Sequence, residues 1–279
     1  MIQPIQKFAI LGERCSGTNF LEECISHNFQ INYTAEHGNK HFFCYNNYKN
    51  EANDTLFIGI IRNPIYWLNS FSKELYHVPE VNRKNLNSFL FNEFYSVRDE
   101  FENKTSKLPD NIFTINNKYY TKQYDINKND FNYLTGKKYK NIFELRKVKN
   151  HFLINVMPKK VKNYILINYE DLLFNFEATM LIFKNKFNLI QKTSTFEKSK
   201  KYKKSDTYNF VKQREILFTP QNVKLIWDNL YLIQENFLGY YPLNNNNFFK
   251  TKYQANLDNI PLSEGKYKQL EGQLPLVSL

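Results

Sequence analysis

From Gly12 to Asn19 the chain reads Gly-Glu-Arg-Cys-Ser-Gly-Thr-Asn, directly after the apolar run Phe8–Leu11. Gly12 and Gly17 keep the G-x-x-x-x-G spacing of a Walker A loop. In such a loop, backbone N–H groups at a helix N-terminus cradle a phosphate. Thr18 stands where the lysine belongs and Asn19 where the Mg²⁺-binding Ser or Thr belongs. The cradle therefore lacks the ammonium for β- and γ-phosphates and the hydroxyl for the metal. It suits a nucleotide from which no phosphoryl group is transferred. A second cluster is Arg62-Asn63-Pro64, with Ser70 eight residues after Arg62. A guanidinium and a hydroxyl can share a second phosphate, because the planar fork of Arg donates two parallel hydrogen bonds to it. A third is Tyr169-Glu170-Asp171-Leu172.

The elements that must position these residues are legible around them. Lys7–Leu11 reads as a buried strand. From Thr18 onward, Phe20, Leu21, Cys24, Ile25 and Phe29 recur at helical spacing. Strand, loop and helix open an α/β domain. Leu56–Ile61 is a nearly unbroken apolar run, as in a strand covered on both faces of a parallel sheet. Arg62 follows it at the carboxyl end, where open α/β sheets bind ligands. Asn63 is the expected N-cap and Pro64 the first helical residue. Tyr164–Asn168 reads as a third buried strand, followed by a helix through Leu172, Leu173, Phe176, Met180 and Phe183. Helix is also expected over Leu86–Phe101, and over Pro220–Phe237 with Val223, Ile226, Trp227, Leu230 and Ile233 on one face. The expected architecture is a P-loop-like three-layer α/β fold with a central, mostly parallel sheet flanked by helices. A single domain spans 1–243, with 82–160 as a helical insertion and 244–279 as a C-terminal tail.

The chain has 279 residues, 42% hydrophobic and 17% aromatic, enough for a sizeable core. Its 38 Lys and Arg against 27 Asp and Glu give a net charge of +11. That suits an anionic ligand, and an AT-rich coding sequence would produce the same excess of Lys, Asn, Tyr, Ile and Phe. The basic residues are spread out and match no nucleic-acid motif, so no nucleic-acid partner is expected. Cys15, Cys24 and Cys44 have no C-x-x-C spacing and read as thiols of a reducing compartment, with no metal cluster. No run approaches the length of a membrane span, and the chain is expected to be soluble and cytoplasmic. Lys198–Lys204 is a basic run read as a loop.

Ser16-Gly17-Thr18 after the first strand, Arg62-Asn63-Pro64 with the spaced Ser70, and the later Tyr169–Leu172 occur in one order. In this the chain resembles the sulfotransferases that use 3′-phosphoadenosine 5′-phosphosulfate (PAPS). The resemblance covers these anchors and the order of elements from about 7 to 185. It implies that Arg14, Cys15, Ser16, Gly17, Thr18 and Asn19 form the 5′-phosphosulfate loop. It also implies that Arg62 and Ser70 hold the 3′-phosphate, and that Tyr169 lies near the adenine. The expected cosubstrate is PAPS, leaving adenosine 3′,5′-bisphosphate, with no metal. The resemblance would put the 82–160 insertion on the acceptor side. The acceptor would be a small molecule or a glycan, and carbohydrate sulfation is one possibility. Where cytosolic members place a Lys before the Ser, this chain has Cys15, and Arg14 is the candidate for that charge. The segment completing the 3′-phosphate site has no clean match, and Lys203, Lys204 and Arg214 are the candidates.

Sulfuryl transfer, like phosphoryl transfer, needs positioned partners, charge stabilisation on the leaving oxygen and removal of the acceptor proton. Similar enzymes use a His, sometimes beside a Lys, ahead of the 3′-phosphate strand, and others use Glu. The resemblance points to His41, within Lys40-His41 and 21 residues before Arg62, as the base. His37 is second, and Glu13 is the carboxylate alternative. Such a base is worth about 10²–10⁴-fold, and an unperturbed His titrates near about 6.5. Lys40 or Arg14 would stabilise the bridging oxygen. Cys15 is read as filler near the phosphate, and His27, Trp67 and Trp227 as structural. Two other readings stay open: a P-loop kinase or NTPase with Mg²⁺ and a lysine from elsewhere, and a non-catalytic polyanion binder.

Overall fold

The structure is a computed structural model that describes residues 4–48, 52–73, 77–98, 112–115, 118–121, 125–199, 201–202, 205–209 and 218–242. Lys203, Lys204, Arg214 and the 244–279 tail lie outside the described residues. In chain order the elements begin with β1 (Lys7–Leu11), α1 (Thr18–Asn28), β2 (Asn32–Tyr33), β3 (Thr55–Ile61) and α2 (Pro64–Phe71). Next come α3 (Leu86–Phe91), β4 (Val97–Arg98), β5 (Ile112–Ile115), β6 (Lys118–Thr121), β7 (Asp125–Ile126) and α4 (Ile142–His151). They continue with α5 (Met157–Lys160), β8 (Tyr164–Asn168), α6 (Tyr169–Phe174) and α7 (Phe176–Phe187). The last are β9 (Lys201–Tyr202), β10 (Ser205–Asn209), α8 (Pro220–Asn229) and α9 (Leu232–Phe237).

Four parallel strands form the central sheet in the order β2-β1-β3-β8. β3 and β8 are buried along their whole length, so both faces of the sheet are covered. On one face Phe8, Ile10, Ile58, Ile60, Ile165 and Ile167 pack against Phe20, Leu21 and Ile25 of α1 and Met180 and Phe183 of α7. On the other, Phe57 meets the rings of His37 and Tyr48, and Tyr164 donates through its hydroxyl to Leu153 O at 2.7 Å. Phe152 continues this second layer, at 5.8 Å from Phe43. It opens a π-helical turn, Phe152–Val156, between α4 and α5. Pro158 lies just beyond and has no N–H with which to continue the α-helical ladder. The result is the three-layer α/β architecture expected from the sequence.

The chain divides into two compact units, Met1–Phe71 with Lys147–Leu279, and Ser72–Arg146. The stretch 82–160 thus falls on both sides of a boundary, because 147–160 belongs to the unit that holds the sheet. In the second unit β4 pairs antiparallel with β7 and β5 with β6. Phe94 and Tyr139 exchange backbone bonds of 2.8 and 2.9 Å, and the buried Ser96 hydroxyl donates to Asp130. Of the helix expected over Leu86–Phe101, the described residues keep only α3, and Val97–Arg98 is strand; 99–101 lie outside the described residues. Asn85 caps α3 through Ser88 N–H at 2.8 Å.

Two more expected helices are each broken in two. Asn175 separates α6 from α7, with φ −122° and ψ 41°. Leu230 and Tyr231 leave helical geometry between α8 and α9, which turns Ile233 outward to 56% exposure. Val223, Ile226, Trp227 and Leu230 are buried as the periodicity requires. Thr219 caps α8 in a capping box with Asn222, and Pro220 is the first helical residue. No helix among the described residues is long and apolar enough to cross a membrane.

Candidate functional site

From β1 the chain runs through α1 to β2 on one side, and from β3 it runs to β8 on the other. The order therefore reverses between β1 and β3. Crevices at the carboxyl ends of such neighbouring strands are where open α/β sheets hold ligands. The Gly12–Asn19 loop leaves one of these strands and the Arg62-Asn63-Pro64 turn leaves the other, so both segments singled out in the sequence open onto this point.

The loop is built by backbone constraint. Gly12 lies so close to β3 that a Cβ there would stand 2.7 Å from Ile60 Cγ2 and 2.8 Å from Ile60 O. Ser16 N–H closes a tight turn onto Glu13 O at 3.1 Å. Cys15 has φ 65° and Gly17 φ 94°. The first is a strained conformation for a residue with a Cβ, and the second is one glycine adopts freely. Gly17 caps α1, and a Cβ on it would run into the ring of Tyr169. Ser16 and Thr18 are buried, and Asn19 is exposed on the first turn of the helix.

Arg62 turns toward this loop. Its Nη1 donates to Cys15 O at 3.0 Å and its guanidinium lies 4.8 Å from the centre of the Tyr169 ring. Tyr169, 5% exposed, fills the space between Gly17, Phe20 and Arg62. It braces the loop against the arginine. Asn63 caps α2 as expected, its Oδ1 accepting from Ile65 N–H at 3.0 Å. Its own N–H donates to Glu170 Oε1 at 3.0 Å. Ser70 is buried on α2 one turn after Trp67. Trp67 donates through Nε1 to Arg14 O at 2.8 Å, which ties the helix of Ser70 to the loop.

Lys40 reaches the start of α1 from a separate segment. Its Nζ donates to Asn19 Oδ1 at 2.5 Å and lies 3.3 Å from Glu22 Oε2. An ammonium therefore stands at the N-terminal turn of the helix, although the loop itself carries no lysine. Next to it, His41 places Nδ1 2.8 Å from Gly12 O. A carbonyl only accepts, so Nδ1 carries the proton and Nε2 is the basic nitrogen. Burial lowers the His41 pKa to about 3, although the bond to Gly12 and the Glu13 charge oppose the shift. The ring is thus neutral at neutral pH.

Arg14 points into the protein. Its Nε donates to Glu13 Oε1 at 2.7 Å, and its guanidinium lies 5.0 Å from the Phe71 ring centre and 5.9 Å from that of Phe42. Glu13 also accepts from Arg14 N–H at 2.7 Å and from Lys149 Nζ. Burial alone would raise the Glu13 pKa, but the Arg14 and Lys149 charges hold it well below the usual carboxylate range. A carboxylate so occupied is a poor proton acceptor, and burial makes the neutral His41 ring a weak one as well. His37 is buried against Phe57 at 4.8 Å, four residues before the end of β3. At strand rise Phe57 is about 16 Å from Arg62. His27 is exposed and pairs with Glu197 at 3.1 Å.

Two residues of the site escape a reading of the sequence alone. Lys149, 2% exposed, bonds Glu13 and donates to His41 O at 2.9 Å. Its signal is a lysine on the buried face of a helix, one turn after Leu145. Glu170 shows in the sequence only as a member of the Tyr169–Leu172 motif. Cys15, Cys24 and Cys44 form no disulfide, and burial pushes the Cys24 thiol up to about 12. No family model, curated protein or solved structure matches the chain.

Proposed function

We propose that the chain is a sulfotransferase that moves the sulfuryl group of PAPS to a hydroxyl or amine acceptor, such as a glycan or glycolipid. The observation that carries this reading is the juxtaposition of two anion-handling segments at one reversal point of the sheet. Arg62 Nη1 lies 3.0 Å from the carbonyl of Cys15, immediately before the Ser16–Asn19 cradle. A nucleotide with anionic groups at both its 5′ and 3′ ends fits such a pair of grips. The donor set is of the right kind: main-chain N–H groups, the Lys40 ammonium, the Arg62 guanidinium and the Ser70 hydroxyl.

The nucleotide supplies the sulfuryl group, and the residues of this chain do the rest. The Gly17–Asn19 amides and Lys40 hold the 5′ end and offset negative charge there. Arg62 and Ser70 hold the 3′ end. His41, fixed as the Nδ1–H tautomer by Gly12 O, accepts the acceptor proton at Nε2. Burial depresses its pKa, and the negative charge of a bound nucleotide raises its proton affinity toward the range a base needs. Arg14 serves as a brace beneath the loop, and Lys40 takes the role of active-site cation.

Calorimetric titration with adenosine 3′,5′-bisphosphate tests the reading. Micromolar binding is expected, weakened about 10- to 100-fold in Arg62→Ala, the range for a lost hydrogen bond to a charged group. Absence of binding at millimolar ligand would rule it out.

A further inference from the structure

Asn168 and Glu170 flank Tyr169 at the junction of β8 and α6, and both reach to the C-terminal end of α9. Asn168 Nδ2 donates to Leu238 O at 3.0 Å, and the Tyr240 hydroxyl donates to Glu170 Oε2 at 2.8 Å. The other oxygen of Glu170 accepts the Asn63 N–H. Glu170 is 4% exposed, Tyr240 2% and Asn63 5%. One carboxylate thus joins the N-cap of α2 to a residue 70 positions further along the chain.

The Asn63 N–H belongs neither to the ladder of β3 nor to the helix it caps, so burial would leave it without an acceptor if Glu170 moved. It is also the peptide at which the chain turns from strand to helix. Arg62 lies before that peptide and Ser70 about two turns after it. Their separation is set by the angle between β3 and α2, and this bond holds that angle. Tyr240 is itself anchored, its N–H donating to Glu235 O at 2.8 Å after a left-handed turn at Gly239 with φ 84°. Its hydroxyl holds the carboxylate on the side opposite Asn63. The 5′ side of the site shares Trp67 and Tyr169 with this junction but has a support of its own in Lys149, which bonds Glu13.

We propose that Tyr240, acting through Glu170, is a positioning residue that gives the site its preference for nucleotides carrying a 3′-phosphate. This rests on the reading of Arg62 and Ser70 as the 3′-phosphate couple. Neither Tyr240 nor Glu170 needs to touch the ligand; both fix the turn that presents the two groups that do.

The test compares adenosine 3′,5′-bisphosphate with adenosine 5′-phosphate on the wild type, Tyr240→Phe and Glu170→Ala. The wild type is expected to bind the bisphosphate more tightly by about 100-fold, and Tyr240→Phe to lose about tenfold for the bisphosphate alone. Glu170→Ala is expected to show the same selective loss, with faster hydrogen exchange at the Asn63 amide in both variants. Equal loss for both ligands would mean general loosening and overturn the proposal, as would unchanged preference. A wild type that binds neither nucleotide would instead remove the functional reading, and the proposal with it. Should Tyr240→Phe fail to fold, Glu170→Ala and the Asn63 exchange rate separate the same outcomes.

Discussion

At the residue scale, three ionisable groups around the loop are shifted by different means. His41 is pushed down by burial, Glu13 is held down by two cations, and Glu170 is pushed up by burial. These shifts make stability depend on pH. Between 6.5 and about 3 an unfolded chain protonates His41 where the folded protein does not. The His41 contribution is therefore complete above pH 6.5 and falls with pH below it, by about 1.4 kcal/mol per unit. Glu13, with a lowered pKa, loses its contribution in the same direction but only below its ordinary 4.5. Glu170 has the opposite sign: its contribution is present at low pH and is lost as pH rises through its elevated pKa. The range from pH 6.5 to 4.5 therefore isolates His41 from Glu13. Urea unfolding of His41→Gln is expected to flatten the acid-side slope there relative to the wild type, and an unchanged slope would show that the ring titrates normally. In turnover, His41→Ala is expected to cut the rate at least ~100-fold with nucleotide affinity nearly unchanged, the effect of removing a positioned base.

At the element scale, the strands and their exits are the legible part. Lys7–Leu11 and Tyr164–Asn168 coincide with β1 and β8, and Leu56–Ile61 falls short of β3 by one residue. Buried parallel strands announce themselves as short apolar runs, and Asn63-Pro64 is a local cap signal that needs no tertiary context. Helix breaks are not legible, because Asn175 and Leu230–Tyr231 interrupt patterns whose apolar spacing continues across them. Nor is the wiring of the site. Lys149 and Tyr240 lie 136 and 70 residues from the carboxylates they bond, and side-chain pairing across such separations leaves no periodic trace. The loop itself makes a sharp prediction. Gly17→Ala meets both a positive φ and the Tyr169 ring, and should cost about 2–4 kcal/mol in urea unfolding, within the range for strain plus overpacking. Cys15→Gly relieves a positive φ and should stabilise the protein by up to about 1 kcal/mol.

At the scale of the whole molecule, the sheet unit gathers every candidate residue described at the site, from Glu13 to Tyr169, within Met1–Phe71 and Lys147–Leu279. The unit of Ser72–Arg146 contributes none of them. The proposed function puts two grips on one nucleotide and asks for no metal, whereas a phosphoryl-transfer site would need Mg²⁺. Calorimetry of the full chain with adenosine 3′,5′-bisphosphate and with ATP, each in EDTA and in excess Mg²⁺, tests that distinction most directly. Bisphosphate binding in the micromolar range that ignores Mg²⁺, with ATP weaker by about 100-fold in both conditions, is the predicted result. Tight ATP binding that appears only with Mg²⁺, and none for the bisphosphate, would contradict it.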